Sequence, residues 1–412
     1  MRLILGASAS CLLLVVGGCT AAPGSLPAAG SSPSPTGAAT AADGSAWSGR
    51  SAGRFGLLRL PADAQVVCTR DAVTWRLPPQ HQTAAGVPPA TTFWRLDLRT
   101  RRVARDDWLT GLLGTRRVDT WFLSGPRVAW LDTTQRQARS DGTVAVAARL
   151  ETAARPSPIV RTLTGPTWGS LDDEGTDGST ALSAFDGRLC WLQDAGHQIG
   201  ATGALPPTRA ASQWLVDLGG RRALLPAGAY VLALTGDRAC WAFGLWRATD
   251  FGSRVVHWSE LSSDGLRSRA FRSPALASSP AAAERGAFAF TAVPRDATDL
   301  ADGRVWVCHL HTHAFRALTP GGQRVAAIGD GFVVYVDHRG WTSSHPREQL
   351  WAVDLTGSER PFLITSPGTE IDEADVAMIG DEVFWMVTGN RFTLVYGARL
   401  VRQAGGAIAR PL

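Results

Sequence analysis

The sequence predicts an all-β protein whose globular part is a seven-bladed β-propeller of four-stranded antiparallel blades. Three observations lead to this prediction: a short strand pattern that occurs seven times, a second strand pattern that follows each copy, and turn residues that precede the first. A small sheet that cannot bury both of its faces alone gains stability by stacking against neighbouring copies. Seven such sheets can close into a ring, which protects their edges.

The first pattern is a run of apolar, small and aromatic residues, as in Val128-Ala129-Trp130. Its aromatic position recurs at intervals of 55, 61, 50, 49, 45 and 50 residues, taken as differences between residue numbers. Because the same position is aromatic in every copy, we expect these side chains to pack between neighbouring sheets rather than to bind a ligand. The predicted structural aromatics are Trp75, Trp130, Trp191, Trp241, Phe290, Tyr335 and Trp385.

The second pattern is an aromatic residue followed, after two residues, by a polar residue and leucine, as in Trp351 with Asp354-Leu355. Strong copies begin at Trp94, Trp214, Trp306, Trp351 and Tyr396, and two weaker copies begin at Val146 and His257. Turns such as Asp186-Gly187 precede the first pattern and suit tight hairpins. Insertions before Trp191 and Trp214 blur the period, so a pair of β-sandwiches or a solenoid is the alternative architecture.

The closure of the last blade is left open by the sequence. Residues 54–60 and residues 408–412 both resemble a fourth strand. Either segment could complete the blade, and the other would then lie outside it.

The N-terminus has the features of an export signal. Arg2 supplies a positive charge, Leu3 to Val16 form a short apolar stretch, and Val16-Gly17-Gly18-Cys19 ends it. This ending resembles a bacterial lipobox, in which the chain is cut before the cysteine and the thiol receives a diacylglyceryl group. The resemblance implies a signal peptide at residues 1–18 and lipidation of Cys19. The alternatives are an ordinary signal peptide or a transmembrane helix, for which the apolar stretch is short.

The composition after the signal peptide predicts a linker followed by a folded domain. Residues 19–46 comprise Cys19 and an Ala/Gly/Ser/Pro-rich linker that we expect to be disordered, and residues 47–412 form the propeller domain. The chain has no lysine, so its 41 basic residues are arginines, and its net charge of +5 is weak for 412 residues. We therefore predict a monomer tethered to the outer side of the cell membrane, with no nucleic-acid partner.

One blade ending carries a family resemblance. The run from Gln349 to Gly357, QLWAVDLTG, resembles the TolB-like and WD40-like propeller group, and the likeness extends over about residues 54–412. Together with the lipobox, it implies a bacterial lipoprotein of the actinobacterial type. The Ser-Pro-Asp-Gly hairpin of TolB blades and the Trp-Asp ending of WD40 strands are absent. The resemblance therefore implies the fold and not the function.

Carboxylates and arginines are predicted to lie on opposite faces of the ring. The connections between blades and between second and third strands share one face, where Asp106, Asp107 and Asp337 also fall. The ligand-binding candidates on this face are Asp172, Asp173, Glu174, Asp177, Glu370, Asp372 and Glu373. The opposite face carries Arg99, Arg101, Arg102, Arg221 and Arg222. We predict that the acidic face binds a cationic or polyhydroxylated ligand; the alternative is that these are solvated loop charges.

Metal and disulfide sites are weaker possibilities. Asp296, Asp299 and Asp302 could hold calcium but lack EF-hand spacing, so no cofactor is predicted and calcium is the alternative. Of three alternating histidines, His309 falls in a strand and His311 and His313 in the next turn, which argues against a shared metal. The remaining cysteines, Cys68, Cys190, Cys240 and Cys308, are predicted to be small buried residues, with a bridge between blades as the alternative.

Catalytic signatures are absent from the sequence. It has no Gly-x-Ser-x-Gly, His-Glu-x-x-His, glycine-rich phosphate loop or Cys-x-x-Cys. We predict a non-enzymatic cell-envelope lipoprotein whose propeller is a scaffold for an envelope protein, glycan or small ligand. The alternative is an extracytoplasmic propeller enzyme of the lyase, lactonase or glycosidase type, with carboxylates at the channel mouth.

Overall fold

The computed structural model describes most of the residues from Phe55 to Leu412. The described ranges are 55–62, 64–77, 91–116, 118–138, 144–163, 167–172, 175–177, 182–185, 188–195, 212–217, 221–226, 229–235, 238–243, 253–284, 286–292, 303–339, 348–356, 360–365, 371, 375–389, 391–403 and 406–412. The predicted signal peptide, Cys19 and the linker lie outside them. Within these ranges no helix has the length and apolar character needed to cross a bilayer.

The strands form antiparallel repeat units, numbered one to seven along the chain. Strand β1 (Gly56–Pro61) precedes unit one, which contains β2 (Gln65–Thr69), β3 (Ala72–Arg76), β4 (Phe93–Asp97) and β5 (Val103–Arg105), followed by helix α1 (Asp107–Leu113). Unit two contains β6 (Val118–Ser124), β7 (Arg127–Ala138), β8 (Val144–Ala154) and β9 (Arg161–Thr162), with β10 (Thr167–Asp172) and β11 (Gly175–Asp177) added to its edge. Unit three contains β12 (Leu182–Phe185), β13 (Arg188–Ala195), β14 (Ser212–Asp217) and β15 (Arg222–Leu224).

The later units follow the same order. Unit four contains β16 (Ala229–Thr235), β17 (Arg238–Phe243), β18 (Ser253–Ser262) and the first part of β19 (Gly265–Glu284); unit five contains the rest of β19, β20 (Ala287–Ala292), β21 (Arg304–His309) and β22 (Ala314–Ala317). Unit six contains β23 (Gln323–Gly329), β24 (Phe332–Asp337), β25 (Gln349–Asp354) and β26 (Phe362–Thr365). Unit seven contains β27 (Val376–Ile379), β28 (Glu382–Thr388), β29 (Phe392–Gln403) and β30 (Gly406–Pro411).

The blades number six, not seven, so the predicted count is wrong. Hydrogen bonds join the described strands into six sheets, one of which has seven strands from β16 to β22. This sheet merges units four and five because β19 pairs with β18 through Leu266 and with β20 through Ala283. The run from Leu266 to Glu284 has no glycine, asparagine or aspartate. It does contain Ser273-Pro274 and Ser279-Pro280, residues that favour turns, and these fall where the pairing register of β19 shifts, but the strand continues through both.

The units are arranged in a ring. The first strands of successive units contact one another in chain order: β2 with β6, β6 with β12, β12 with β16, β16 with β19, β19 with β23, and β23 with β27. A buried apolar cluster that contains Trp75, Ala377 and Phe384 joins unit seven back to unit one. The described core therefore lies between the sheets, as in a β-propeller.

In five units the aromatic positions of the two sequence patterns lie opposite each other across the second and third strands; in unit three Trp191 lies opposite Val216, and Trp214 opposite Gln193. Trp75 lies opposite Trp94, and Trp385 lies opposite Tyr396 with ring centroids 5.3 Å apart. Trp241 stacks on His257 at 4.0 Å, so the weak copy at His257 is confirmed. In unit two Trp130 faces Glu151, not Val146, so the copy placed at Val146 is wrong by five residues. Such cross-strand pairs stabilise each sheet.

The leucine of the second pattern fixes the first turn of its unit. The Leu98 N–H donates to the carbonyl of Asp71 at 3.0 Å, and Leu355 donates to Gly331 at 2.9 Å. Leu310 and Leu400 make the same bond to Gly286 and Asp381. In unit two the Arg155 N–H makes the same bond to Pro126 at 2.8 Å, so a third-strand N–H satisfies the turn carbonyl whether or not the residue is leucine.

The aromatic residues of the first pattern lie in the second strand of each unit. The six whose side chains are described are buried: Trp75, Trp130, Trp241, Phe290, Tyr335 and Trp385. The side chain of Trp191 lies outside the description. Between units, Phe93 packs edge-on against Trp121 with ring centroids 5.1 Å apart.

Both ends of the described chain complete the last unit. Strand β1 pairs with residues 392–396 of β29, and β30 pairs with residues 398–403 on the same edge. The two strands meet at Gly397, whose N–H donates to Phe55 at 3.0 Å and whose carbonyl accepts from the Leu412 N–H at 3.4 Å. The segment 55–412 therefore closes its own ring without any preceding residue.

Gly397 is required by this junction. A Cβ atom here would lie 2.7 Å from the terminal carbons of both Leu57 and Leu412. We expect Gly397→Val to lower the free energy of unfolding by about 1–3 kcal/mol, because overpacking forces both chain ends away from β29. Chemical denaturation measures the loss.

The matched control is Gly111→Ala in α1, where a Cβ atom meets nothing within 4 Å. Alanine is the better helix former, so this variant is expected to gain up to about 1 kcal/mol. Equal stability of Gly397→Val and the native chain would contradict the closure described above.

Candidate functional site

Two polar clusters involve the second and third strands of their units: one lies where β24 and β25 meet their connection, and the other includes residues within β7 and β8. The unit-six cluster consists of Asp337, His338, Arg339 and Glu348. Strand β24 ends at Asp337 and β25 begins at Gln349, and these two residues are paired. Because antiparallel pairing brings the two ends of the connection together, His338 and Glu348 become neighbours although ten residues separate them in the chain.

His338 and Glu348 form a buried pair. The His338 Nδ1 lies 2.7 Å from Glu348 Oε1, and the side chains are 10% and 4% exposed. The other carboxylate oxygen of Glu348 accepts from the Ile371 N–H, and the His338 N–H donates to Gly322 at 2.9 Å. The pair thus joins three connections: the one after β24, the one before β23 and the one before β27.

Asp337 is held by Arg339. The guanidinium donates to both carboxylate oxygens, with Nη2 at 2.5 Å from Oδ2 and Nε at 3.0 Å from Oδ1. Burial opposes ionisation of Asp337, but the hydrogen bonds and charge of Arg339, with a further bond from Gln323, outweigh it and lower its pKa. Asp337 is therefore a fixed anion at neutral pH.

The unit-two cluster consists of Arg116, Asp132 and Glu151. Arg116 Nη1 lies 3.1 Å from Glu151 Oε2 and 3.8 Å from Asp132 Oδ2. The same guanidinium carbon lies 5.5 Å from the Trp130 ring centre. Burial raises the pKa of Glu151, the nearby Asp132 raises it further, and Arg116 only partly offsets both. Two carboxylates therefore share one cation.

The chemistry of both clusters is mainly that of fixed charges. In the unit-six cluster the Glu348 carboxylate orients the Nδ1 side of the His338 imidazole. The tautomer of His338 therefore depends on Glu348. In the unit-two cluster, a carboxyl group with a raised pKa beside a second carboxylate is a possible proton donor. Among the described residues, no group of three or more His, Cys, Asp or Glu side chains could hold a metal ion.

The predicted ligand-binding carboxylates are described only in part. Asp172 and Asp177 lie on β10 and β11, which form a hairpin beside unit two, but the description does not extend to their side chains. Asp173, Glu174, Glu370, Asp372 and Glu373 lie outside the described residues. So do the calcium candidates Asp296, Asp299 and Asp302. However, the buried Ile371 lies between Glu370 and Asp372 and is bound by Glu348.

Two other carboxylates predicted to lie on the acidic face have structural partners. Asp106 caps α1 by accepting from the Leu109 N–H at 3.1 Å, and it pairs with Arg155. Asp107 pairs with Arg105 at 3.0 Å. Asp106 in particular is buried, so it is unsuited to binding a ligand directly.

The predicted basic face contains carboxylates as well. Arg221 pairs with Asp217 at 2.5 Å and donates to the Leu261 carbonyl of unit four at 3.2 Å. Arg402 pairs with Asp354 of unit six at 2.8 Å. Arg99, Arg101 and Arg102 lie at the β4–β5 turn, with Arg99 and Arg102 exposed. Several arginines of this face therefore connect neighbouring units.

The histidine and cysteine predictions are confirmed where they can be examined. His309 ends β21, and His311 and His313 lie exposed in the following turn. Cys68, Cys240 and Cys308 are free and buried, and burial raises the pKa of each thiol. The side chain of Cys190 lies outside the description.

The residues of the two clusters, apart from Asp337, carried no signal in the sequence. His338 and Glu348 follow and precede strand patterns, but no spacing rule links them. Arg116 lies beyond α1, a helix that the strand patterns did not predict. Only the position of Asp337 at a strand end placed it on this face in advance.

Comparison with known proteins identifies the fold. No protein family and no curated protein matches the chain. Among solved structures, the β-propeller domain of the Trilobed protease from Pyrococcus furiosus matches with a TM-score of 0.50 and 10% identity, over 86% of this chain and 96% of that one. An acylaminoacyl peptidase from Pyrococcus horikoshii gives the same TM-score and identity, over 86% of this chain. This chain has a β-propeller fold.

The second likeness is partial. The chain spans about half (52%) of the length of the Pyrococcus horikoshii peptidase. At 10% identity both likenesses show the fold alone.

The lowered pKa of Asp337 gives the first pH prediction. Its folded pKa lies below the ordinary value of 3.8, so the stability it contributes is present above that value and lost as the pH falls through the folded pKa. At pH 6 we expect Asp337→Asn to lower the free energy of unfolding by about 1.5–3 kcal/mol. The difference from the native chain should shrink below pH 4.

The control for this prediction is Asp264→Asn, which removes an exposed pair with Arg267. Exposed pairs contribute little, so its unfolding curve should follow that of the native chain at every pH. An Asp337→Asn deficit that stays constant from pH 6 to pH 3 would contradict the proposed fixed anion.

Proposed function

We propose that the protein is an extracytoplasmic lipoprotein whose propeller binds a ligand through the connections that the unit-six cluster holds. The observation that supports this is the contact of buried Glu348 with the Ile371 N–H. Ile371 has Glu370 on one side and Asp372-Glu373 on the other. A pre-positioned connection loses less entropy on binding than a free one.

The ligand follows from the charge of these residues. Three carboxylates within four positions favour a cationic or polyhydroxylated ligand, presented by an envelope protein, a glycan or a small molecule. Asp172, Asp173, Glu174 and Asp177 form a second acidic segment beside unit two and are proposed to take part in the same binding. No cofactor is required, and calcium at Asp296, Asp299 and Asp302 is the alternative.

The binding test uses the chain from residue 20, immobilised and exposed to envelope extract. We expect Glu370→Gln/Asp372→Asn/Glu373→Gln to weaken capture of the main bound component about tenfold, because three attractive charges are lost. A second variant with Asp172→Asn, Asp173→Asn and Glu174→Gln tests the other acidic segment.

The matched control is Asp107→Asn/Asp264→Asn/Asp330→Asn, which changes the net charge equally at exposed positions. This control is expected to bind as the native chain does. Equal binding by all four proteins would overturn the proposed site.

Lipid attachment is tested separately. We expect the native chain to incorporate labelled fatty acid and to fractionate with membranes, and Cys19→Ala to lose the label, because the thiol is the acceptor. Label retained by Cys19→Ala would contradict the proposed anchor.

A second candidate function is an extracytoplasmic enzyme of the lyase, lactonase or glycosidase type. The unit-two cluster favours it, because Glu151 has a raised pKa and lies with Asp132 beside one arginine. Enzymes of these types use such carboxyl groups as acids or bases. Turnover of lactone or glycoside substrates that is lost in Glu151→Gln would favour this alternative, and no turnover would favour binding.

A further inference from the structure

The outer edge of units six and seven exposes apolar side chains. Among the described residues five large hydrophobic side chains are exposed, and two of them are Leu363 on β26 at 43% and Ile408 on β30 at 39%. Strands β26 and β30 belong to neighbouring units and contact each other. Single exposed apolar residues are common on proteins, but these two lie on edge strands that contact each other, and we refer to Leu363 and Ile408 together as the apolar strip.

Unpaired arginines lie beside this strip. Arg410 is exposed on β30, and Arg360 is exposed two residues before β26. Neither makes an ion pair within the described part of the chain. Arg410 lies directly opposite Arg399, whose charge is taken by the buried Glu382. Strands β1, β26 and β30 contain no aspartate or glutamate.

The pair of Arg399 and Arg410 places two positive charges directly opposite each other on neighbouring strands. Like charges directly opposite each other destabilise a sheet. Glu382 and Asp381 both pair with Arg399, whereas Arg410, exposed on the outer strand, makes no ion pair with a described residue. An external anion bound to Arg410 would reduce the electrostatic repulsion between the two arginines.

The N-terminal segment joins the domain at this same edge. Phe55 precedes β1 and accepts from Gly397, next to the point where Leu412 ends the chain after β30. The 54 residues before Phe55 therefore reach the ring at its outer edge. An attachment upstream of Phe55 would connect to this edge of the ring, and not to the unit-six cluster.

We infer that the edge patch, defined as Arg360, Leu363, Ile408 and Arg410, docks on the surface of an anionic phospholipid bilayer. The inference rests on the proposed lipid anchor, which would place this edge at the membrane. Arginine pairs with lipid phosphates, and each basic residue near an anionic surface strengthens binding about fivefold. Leu363 and Ile408 would enter the boundary between headgroups and acyl chains.

Docking through the edge patch would leave the connections held by the unit-six cluster accessible. With its edge on the bilayer, the propeller stands with both loop faces directed sideways. The connections held by the unit-six cluster then remain open to a ligand.

The test is co-sedimentation of the chain from residue 20, which lacks lipid but keeps both closing strands. The vesicles are phosphatidylcholine alone, or phosphatidylcholine with phosphatidylglycerol, at low salt. We expect binding only to the anionic vesicles, weakened about 25-fold in Arg360→Gln/Arg410→Gln, from about fivefold per arginine. Leu363→Ser/Ile408→Ser should also weaken it, whereas added salt should abolish it.

Matched controls come from the far side of the ring. Arg269→Gln/Arg272→Gln changes two exposed arginines of β19, and Leu224→Ser/Val255→Ser changes side chains that are 46% and 44% exposed. Both controls should bind anionic vesicles within twofold of the native chain. Thermal melts of all variants establish that each is folded.

Other outcomes would overturn the inference. These are equal binding to neutral vesicles, equal weakening by the controls, or vesicle binding that persists in excess soluble polyphosphate. A dimer in solution that Leu363→Ser/Ile408→Ser dissociates, without vesicle binding, would assign the edge patch to a second copy instead.

The edge patch and the lipid anchor are tested independently of each other. Charge-dependent vesicle binding by a chain whose Cys19 takes no acyl label would leave the edge patch standing and remove the anchor. Acylation without charge-dependent binding would do the reverse.

Discussion

The whole ring depends on the strand β29, because both ends of the described chain are hydrogen-bonded to it. The edge of β29 is divided between β1, which covers residues 392–396, and β30, which covers residues 398–403. No covalent bond closes a ring of sheets, so without this hydrogen-bonded pairing units one and seven would be joined only by side-chain packing. Gly397 makes the division possible, since the space of its missing side chain is filled by Leu57 and Leu412.

The strand content could be predicted from the sequence because its two patterns are physical partners. Trp75 and Trp94, or Trp385 and Tyr396, face each other across a strand pair, so each constrained the other in most of the repeats. The blade count could not be predicted, because the repeated patterns give the number of units and not the way in which neighbouring units join into sheets. Strand β19 runs through two units without a turn, and no rule of strand periodicity separates a long strand from two short ones.

The polar clusters were less predictable for a related reason. His338 and Glu348 meet only because β24 and β25 pair in one register, and the connection between them has no motif. Arg116 reaches Glu151 from the far side of α1, across 35 residues. Charges predicted to be free were partly structural: Asp106 caps a helix, and Asp337 is clamped by an arginine. Predictions based on loop position therefore overestimated how many carboxylates are available to a ligand.

Because β1 and β30 pair with different halves of β29, a force on the N-terminal segment acts on β1 and not directly on β30. A pull on the N-terminal segment would act first on β1, which is held by a short antiparallel ladder and by the Phe55 carbonyl. Strand β30 lies on the other half of β29 and would not share that force directly. Tension would therefore peel β1 away while β30 keeps the last sheet four strands wide, and units one and seven would then be held together by side-chain packing alone.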